Sequence, residues 1–533
     1  MRTSAVTAGV ILFASLVSGK SAAPTIGEII YRQGITAAGV PVNEDRGSGG
    51  ISPGANAACV NCHRPSGLGA VEGGILCPPI TAKYLFRRGI RYGQEETHSV
   101  SAIRSVYTDT TLARAIRDGI DPDGRTLKYL MPRYNLDDAA MTSLIAYLKE
   151  LSSGPVPGTT ADTLHFATIV TPDADPVKRK GMLDVLEHFV AAKNVFYRHL
   201  LPPARDPRWM YHIPRKWQLH VWDLAGEPET WGEQLHNRLK SEPVFAVISG
   251  LGGKNWEPIH QFCQQESIPC LFPNVDLPVV SESDFYDLYF SKGVLLEAGL
   301  IAHQIHDISG TAGIRRIVQV YREGDVGAEA AKALRNEIAA HGLVIIERPL
   351  TQRAAGGDLS AALEKAGAQD ALVLWLRADD LRNLPLEPPK SPSVFVSGLM
   401  GGLEGAPIQG AWRGVTSMTY PYELPTRRGA LQNYPVMWFN IQHIPLVAEQ
   451  TQVDTYIACN IVGEILNDMQ ENFVRDYLIE CAEDKLSSRI VNGNYPRLGL
   501  APGQRFASKG GYIVRFAGAD GNKLVPEGDW IVP

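Results

Sequence analysis

Apolar residues along this chain follow two different periods, and the change comes near residue 160. In the first part they recur at helical spacing in short segments. Ile26, Ile29 and Ile30 predict a helix over 26–34, weakened by Gly27, since glycine is a poor helix former. Leu112, Ala115 and Ile116 predict a second over 111–120, with Gly119 as its stop. Met141, Leu144, Ile145 and Leu148 predict a third, capped by Asp137 or Asp138. The stretch 39–54 is rich in glycine and proline and reads as loop. Asp121-Pro122-Asp123-Gly124 reads as a turn.

Residues 152–160, Ser-Ser-Gly-Pro-Val-Pro-Gly-Thr-Thr, carry no periodicity and read as a short, partly stiff linker. Beyond them apolar runs alternate with helical patterns. Strands are predicted at 164–170, 217–224, 244–249, 268–272, 316–321, 343–346, 371–376 and 394–397. Helices are predicted from Pro176, over 230–239, from the Gly250-Leu251-Gly252-Gly253 turn to about 265, and after Lys292 to 306. Others follow over 328–340, 359–365 and 453–469. Such alternation predicts parallel sheet covered on both faces. The units form two series, about 164–275 and 313–400, so two lobes are expected. Residues 511–532 read as short strands with Asp520-Gly521 as their turn. The expected fold class is multidomain: an all-α domain followed by a two-lobed α/β domain with parallel sheets.

The length of 533 residues agrees with two or three domains. Hydrophobic residues make up 44% and charged residues 20%, an ordinary globular balance. A formal net charge of −6 gives no reason to expect nucleic acid as a partner. Met1-Arg2-Thr3, an apolar run over about 5–17 and mostly small residues over 18–23 read as a secretory signal. The run is short for a membrane span, which takes roughly 20 residues, and no later segment is apolar enough to cross. The expected organisation is a signal peptide at 1–23, a first domain at 24–153, a linker at 154–163 and a second domain at 164–533. The expected compartment is the periplasm.

Chemistry enters at Cys59-Val60-Asn61-Cys62-His63. Two cysteines separated by two residues and followed by histidine form the c-type haem attachment pattern. Each thiol adds across a haem vinyl group, and the histidine then lies beside the iron. Half a zinc site is the competing reading, but no second cysteine pair lies nearby. The glycines of Arg64-Pro65-Ser66-Gly67-Leu68-Gly69 and Glu72-Gly73-Gly74 would let the backbone approach a porphyrin edge. Helix, motif, helix, the Leu130-Met131-Pro132 loop and a final helix follow one another over residues 24–153, and in that order they resemble a class I cytochrome c. The resemblance implies one covalent haem c on Cys59 and Cys62, with His63 as the proximal axial ligand and Met131 as the distal one. A thioether opposite imidazole raises the potential, and six-coordinate iron leaves electron transfer as the expected task. Met141, on the core face of the last helix, and His98 are the weaker alternatives to Met131. The Pro78 or Pro79 carbonyl is a candidate acceptor for the His63 ring proton.

Five further cysteines remain. An oxidising compartment favours disulfides, and Cys263 with Cys270 and Cys459 with Cys481 are the expected pairs. Cys77 is then a lone, packed thiol.

Residues 164–530 carry Val247-Ile248-Ser249-Gly250-Leu251-Gly252-Gly253, Ile268-Pro269-Cys270-Leu271-Phe272-Pro273, and Val320-Tyr321 leading to Gly327. With their element order, these stretches resemble the type I periplasmic binding proteins, the substrate-binding components of branched-chain amino acid ABC importers and their relatives. Ligands of open α/β sheets bind at the carboxyl ends of strands. The resemblance places a cleft there and implies Lys254, Asn255, Asn274, Asp325 and Arg377 as ligand contacts. Where amino-acid binders carry small hydroxyl residues, this chain has Gly253-Lys254-Asn255-Trp256, which points away from amino acids. Lys254 would favour an anion and Trp256 would offer a stacking face.

No catalytic constellation is visible. The 13 histidines are scattered, His303 and His306 read as helix surface, and no nucleophile elbow or phosphate-binding loop occurs. The chain is therefore expected to be an electron carrier and binding protein rather than an enzyme. Its haem would pass single electrons to or from a periplasmic redox protein or dehydrogenase. Its second domain would bind a small molecule and couple it to electron transfer. A ligand-free docking module for a redox enzyme, and a solute-binding component of an ABC importer, are the alternatives.

Overall fold

A computed structural model of the chain describes residues 23–45, 51–72, 75–90, 103–199, 215–281, 284–339, 342–351, 356–364, 366–391, 393–428, 435–488, 493–517 and 523–533. Residues 1–22 of the expected signal, Gly73, Gly74, His98 and the Asp520-Gly521 turn lie outside these residues. The chain divides into two units, residues 1–154 and 155–533.

Capping decides where the helices of the first unit begin and end. In Ile26–Gln33 the Thr25 side chain accepts the Glu28 N–H, and Gly34 closes the helix in the left-handed region at φ 65°. Asp109–Asp118 starts from a reciprocal box between Thr108 and Thr111 and stops at Gly119, φ 67°. The box is polar, so this helix begins earlier than its apolar spacing indicates. Asp137 caps Asp138–Glu150 by accepting the Ala140 N–H at 2.7 Å.

The first and last of these helices meet at Gly27. A Cβ there would lie 2.1 Å from the Ser143 carbonyl oxygen and 2.6 Å from Tyr147 Cβ. The residue that weakens the helix locally is thus the one that admits its neighbour. Ile30, Tyr31, Leu112, Ile116, Met141, Leu144 and Leu148 fill the core between the helices. The unit is not all-α. Asn43–Asp45 pairs with Ile51–Pro53 and Arg133–Tyr134, Ala70–Glu72 with Ile75–Cys77, and Gly89–Ile90 with Ile103–Arg104, all antiparallel. These strands are two or three residues long, too short for alternation to register in the sequence.

The second unit contains two sheets. In one, Asp287–Leu288, Cys270–Leu271, Ala246–Ile248, Thr163–Val170 and Lys216–Asp223 lie side by side in that order, all parallel. In the other, Val344–Leu350, Arg316–Arg322, Asp370–Trp375, Ser393–Val396 and Thr416–Tyr420 run parallel. Tyr512–Ala517 and Lys523–Pro526 extend that sheet antiparallel. Alternate residues of one strand enter different cores: Ile317 joins Ile301 and Leu334, whereas Val318 and Val320 join Leu372 and Leu374. That is the signature of a sheet covered on both faces. Periodicity does not reveal Asp287–Leu288, which is two residues long and opens on an acid, or the hydroxyl-rich Thr416–Tyr420.

None of the seven cysteines is in a disulfide, which corrects both expected pairings. Cys459 on Glu449–Met469 and Cys481 on Arg475–Ser488 are core side chains among apolar neighbours. Cys263 and Cys270 are buried thiols that face Asp287.

Gly27→Ala is expected to cost the first unit about 1–3 kcal/mol through overpacking, read as faster amide exchange over 26–33 and 138–150. Unchanged exchange would mean that this crossing does not hold the two helices.

Candidate functional site

A short helix, Val60–His63, carries the attachment motif. It sets Cys59, Cys62 and His63 on the wall of a cavity of about 680 Å³, which Leu85, Leu112, Ile116, Leu144 and Met131 also line. His63 is buried, and its Nδ1 lies 2.9 Å from the Pro78 carbonyl oxygen. A carbonyl only accepts, so Nδ1 carries the proton and Nε2 keeps its lone pair. Burial lowers the ring's pKa, with the Pro78 bond opposing it, so the imidazole is in the neutral form that binds metals. Burial also pushes the Cys59 thiol up to about 12. The motif's exit is pinned by the Tyr31 hydroxyl, which donates to the Arg64 carbonyl at 2.7 Å.

Met131 sits half-buried on a loop tied down by Arg133, whose guanidinium donates to the Met131 carbonyl and, at 3.1 Å, to the Leu127 carbonyl. Met141 is in the helical core and does not line the cavity. Gly67 and Gly69 serve protein packing, not the cavity wall. A Cβ on Gly67 would meet Leu151 Cδ2 at 2.4 Å, and one on Gly69 the Cys77 carbonyl oxygen at 2.0 Å. The donor set suits a haem: two thiols one helical turn apart, an imidazole with Nδ1 already committed, and a thioether on the same apolar cavity.

In the second unit a cavity of about 900 Å³ opens at the carboxyl ends of strands from both sheets. Asn274 and Asp276 follow Cys270–Leu271, Ser291 follows Asp287–Leu288, Leu399 follows Ser393–Val396, and Tyr422 and Arg428 follow Thr416–Tyr420. Glu449–Met469 adds Glu449 and Asp454. Asp454 accepts from Asn494 Nδ2 and the Tyr495 hydroxyl, each at 2.9 Å, while burial pushes its carboxyl up to about 7. Arg428 lies 2.9 Å from Glu404 and 3.7 Å from Glu449.

Of the five expected contacts, Asn274 alone lines this cavity, its Nδ2 donating to Ser249 Oγ at 2.9 Å. Lys254 is exposed, and Asn255 Oδ1 accepts the Glu257 N–H at 3.0 Å. Trp256 is 2% exposed and packs with Ile259 and Phe262, so it offers no stacking face. Arg377 donates to both Asp325 oxygens at 2.7 Å and to Asp276 Oδ2 at 3.0 Å. Burial acts to raise the Asp325 pKa, but the guanidinium outweighs it and holds the carboxyl below its usual range. Arg377 and Asp325 follow strands of the same sheet, and the Arg377 bond to Asp276 ties that sheet to a loop of the other. Sequence reasoning missed Asp276, Tyr422, Arg428, Glu449 and Asp454. The one local signal was an acid, Asp454, inside the helical apolar pattern of 453–469. His303 and His306 are exposed on Val294–Ala312, His303 beside Asp307 at 3.4 Å.

Residues 54–152 match the family model of cytochrome c. This segment is a cytochrome c domain. A comparison of the chain with curated proteins finds no match. Among solved structures it is similar to a substrate-binding periplasmic protein from Ralstonia solanacearum, at 14% identity and a TM-score of 0.50, covering 68% of this chain and 99% of that one. It is also similar to a branched-chain amino acid ABC transporter protein from Thermus thermophilus with bound valine, at 12% identity and a TM-score of 0.52, covering 70% and 97%. A fatty acid ABC transporter substrate-binding protein from Thermomonospora curvata matches at 16% identity and a TM-score of 0.50, covering 71% and 95%. Among the described residues parallel strands occur only in the second unit, so these likenesses concern its fold, that of the type I periplasmic binding proteins.

Met131→Ala in the cytochrome c domain is expected to leave haem attached and to lower its midpoint potential in a redox titration. An unchanged potential and spectrum would assign the sixth ligand to another residue.

Proposed function

We propose that the protein is a periplasmic electron carrier with one haem c, joined to a domain whose cavity binds a small molecule and couples that binding to electron transfer. The observation that carries this reading is the convergence of Cys59, Cys62, Met131 and a His63 ring oriented by the Pro78 carbonyl on one apolar cavity. In this reading Cys59 and Cys62 would hold the haem through thioether bonds, and His63 Nε2 and Met131 Sδ would be the donors offered to its iron. The haem supplies a one-electron iron couple when bound. The residues around it orient the imidazole and exclude water; no reaction of an enzyme is assigned to them.

The two sheets of the second unit act as two lobes around the cavity. Its lining by Asn274, Asp276, Arg428 and Asp454 supports binding of a polar ligand over a ligand-free docking surface. Periplasmic location is supported by c-type haem attachment, by the binding-protein fold and by the absence, among the described residues, of a helix long and apolar enough to cross a membrane. A periplasmic redox protein or dehydrogenase is the electron partner in this scheme.

The test is a metabolite thermal-shift screen on the full chain, followed by redox titration with and without each hit. A ligand at a hundred times its Kd is expected to stabilise the second unit by about 2.7 kcal/mol and to shift the haem potential. Stabilisation at constant potential would contradict coupling, and no shift across a broad library would contradict ligand binding.

A further inference from the structure

Cys263, Cys270 and Asp287 line neither cavity. Cys270 and Asp287 are register partners on neighbouring parallel strands, so their side chains leave the sheet on the same face. The helix Glu257–Gln265 covers that face and brings Cys263 to them. The two sulfurs and a carboxylate oxygen lie within 4.8 Å of one another, and all three residues are buried.

The surroundings hold the carboxylate in one orientation. Asp287 Oδ2 accepts from Gln264 Nε2 at 2.6 Å and lies 3.5 Å from His260 Nδ1. His260 is itself fixed, with Nδ1 2.9 Å from the Tyr289 hydroxyl and Nε2 2.5 Å from Asp284 Oδ2. Asp287 Oδ1 has no nitrogen or oxygen donor, although the residue is only 1% exposed; its carboxyl meets the Cys270 thiol, which also meets the Cys263 thiol. A thiol is a weak donor, so the buried carboxylate is costly as it stands. A cation beside the two sulfurs compensates it.

We propose that Cys263, Cys270 and Asp287 bind a zinc ion. Thiolate ligands exclude the hard cations calcium and magnesium, whereas two sulfurs and one oxygen supply three of zinc's four tetrahedral positions and leave the fourth for a water. Binding releases the thiol protons to solvent, and two thiolates and a carboxylate then face the dication. His260 and Gln264 position the site by holding Oδ2, which leaves Oδ1 for the metal. The ion ties Glu257–Gln265 to two strands at the edge of the sheet. It also accounts for two neighbouring cysteines that are not joined as a disulfide.

The experiment is zinc analysis and zinc-edge X-ray absorption on the purified, haem-loaded full chain. One zinc per chain is expected, with two sulfurs at about 2.3 Å and an oxygen at about 2.0–2.2 Å. Cys263→Ser and Asp287→Asn are expected to lose the zinc while keeping the haem absorbance. Because either variant can misfold, the absorption spectrum of the unsubstituted protein decides independently. Zinc without sulfur neighbours, zinc retained by both variants, a Cys263–Cys270 disulfide detected by mass, or two thiols that stay metal-free after zinc loading would each overturn the assignment.

Discussion

The hydrogen bond between His63 Nδ1 and the Pro78 carbonyl is the constraint on which the cytochrome c domain turns. It chooses one tautomer of a buried ring and so leaves Nε2 for a metal. Its two partners are 15 residues apart, and the chain between them must fold back tightly to let them meet. Gly69, at φ 80° and packed against the Cys77 carbonyl, permits that return, and the Tyr31 hydroxyl on the Arg64 carbonyl anchors its start. Tyr31 is in turn placed by the first helix, which reaches its position only because Gly27 admits Ser143 and Tyr147. Helix packing, loop geometry and the state of one imidazole therefore form a single chain of dependence.

The second unit handles buried polarity differently. Its acids are distributed among partners of three kinds. Asp325 meets a guanidinium and stays ionised. Glu297 is wholly buried; its carboxylate accepts from the Thr419 hydroxyl at 2.6 Å and the Leu399 N–H at 2.9 Å, while burial pushes it up to about 7. Asp454 sits at the cavity wall with an amide and a phenol as donors. Such groups cost stability unless satisfied, and of the three Asp454 alone lines the cavity.

What the sequence disclosed follows how local each feature is. Cys59, Cys62 and His63 lie within five residues, and their spacing alone conveys the chemistry. That Met131 lies at the same cavity was legible from its place before Pro132 and the last helix. The strand and helix alternation of the second unit was legible because parallel strands buried on both faces are apolar throughout, as in Asp370–Trp375. The cavity lining was not, because it combines the ends of strands far apart in sequence with a helix near residue 454. Arg377 and Asp325 do lie after strands, as the strand-end rule requires, but Arg377 pairs with both Asp325 and Asp276, which takes up the charge that a ligand would have used. The disulfide expectation rested on compartment; the buried Asp287 that gives Cys263 and Cys270 another partner has no local signature, since its strand is two residues long.

Haem on the Cys59–Cys62 motif is the central claim, and peptide mapping of the purified chain, paired with a pyridine haemochrome spectrum, tests it most directly. The account predicts one haem c per chain, recovered on the peptide containing Cys59, Cys62 and His63, and absent from the Cys59→Ala/Cys62→Ala double variant. Haem that acid solvent extracts from the protein, or haem retained unchanged by that variant, would contradict it.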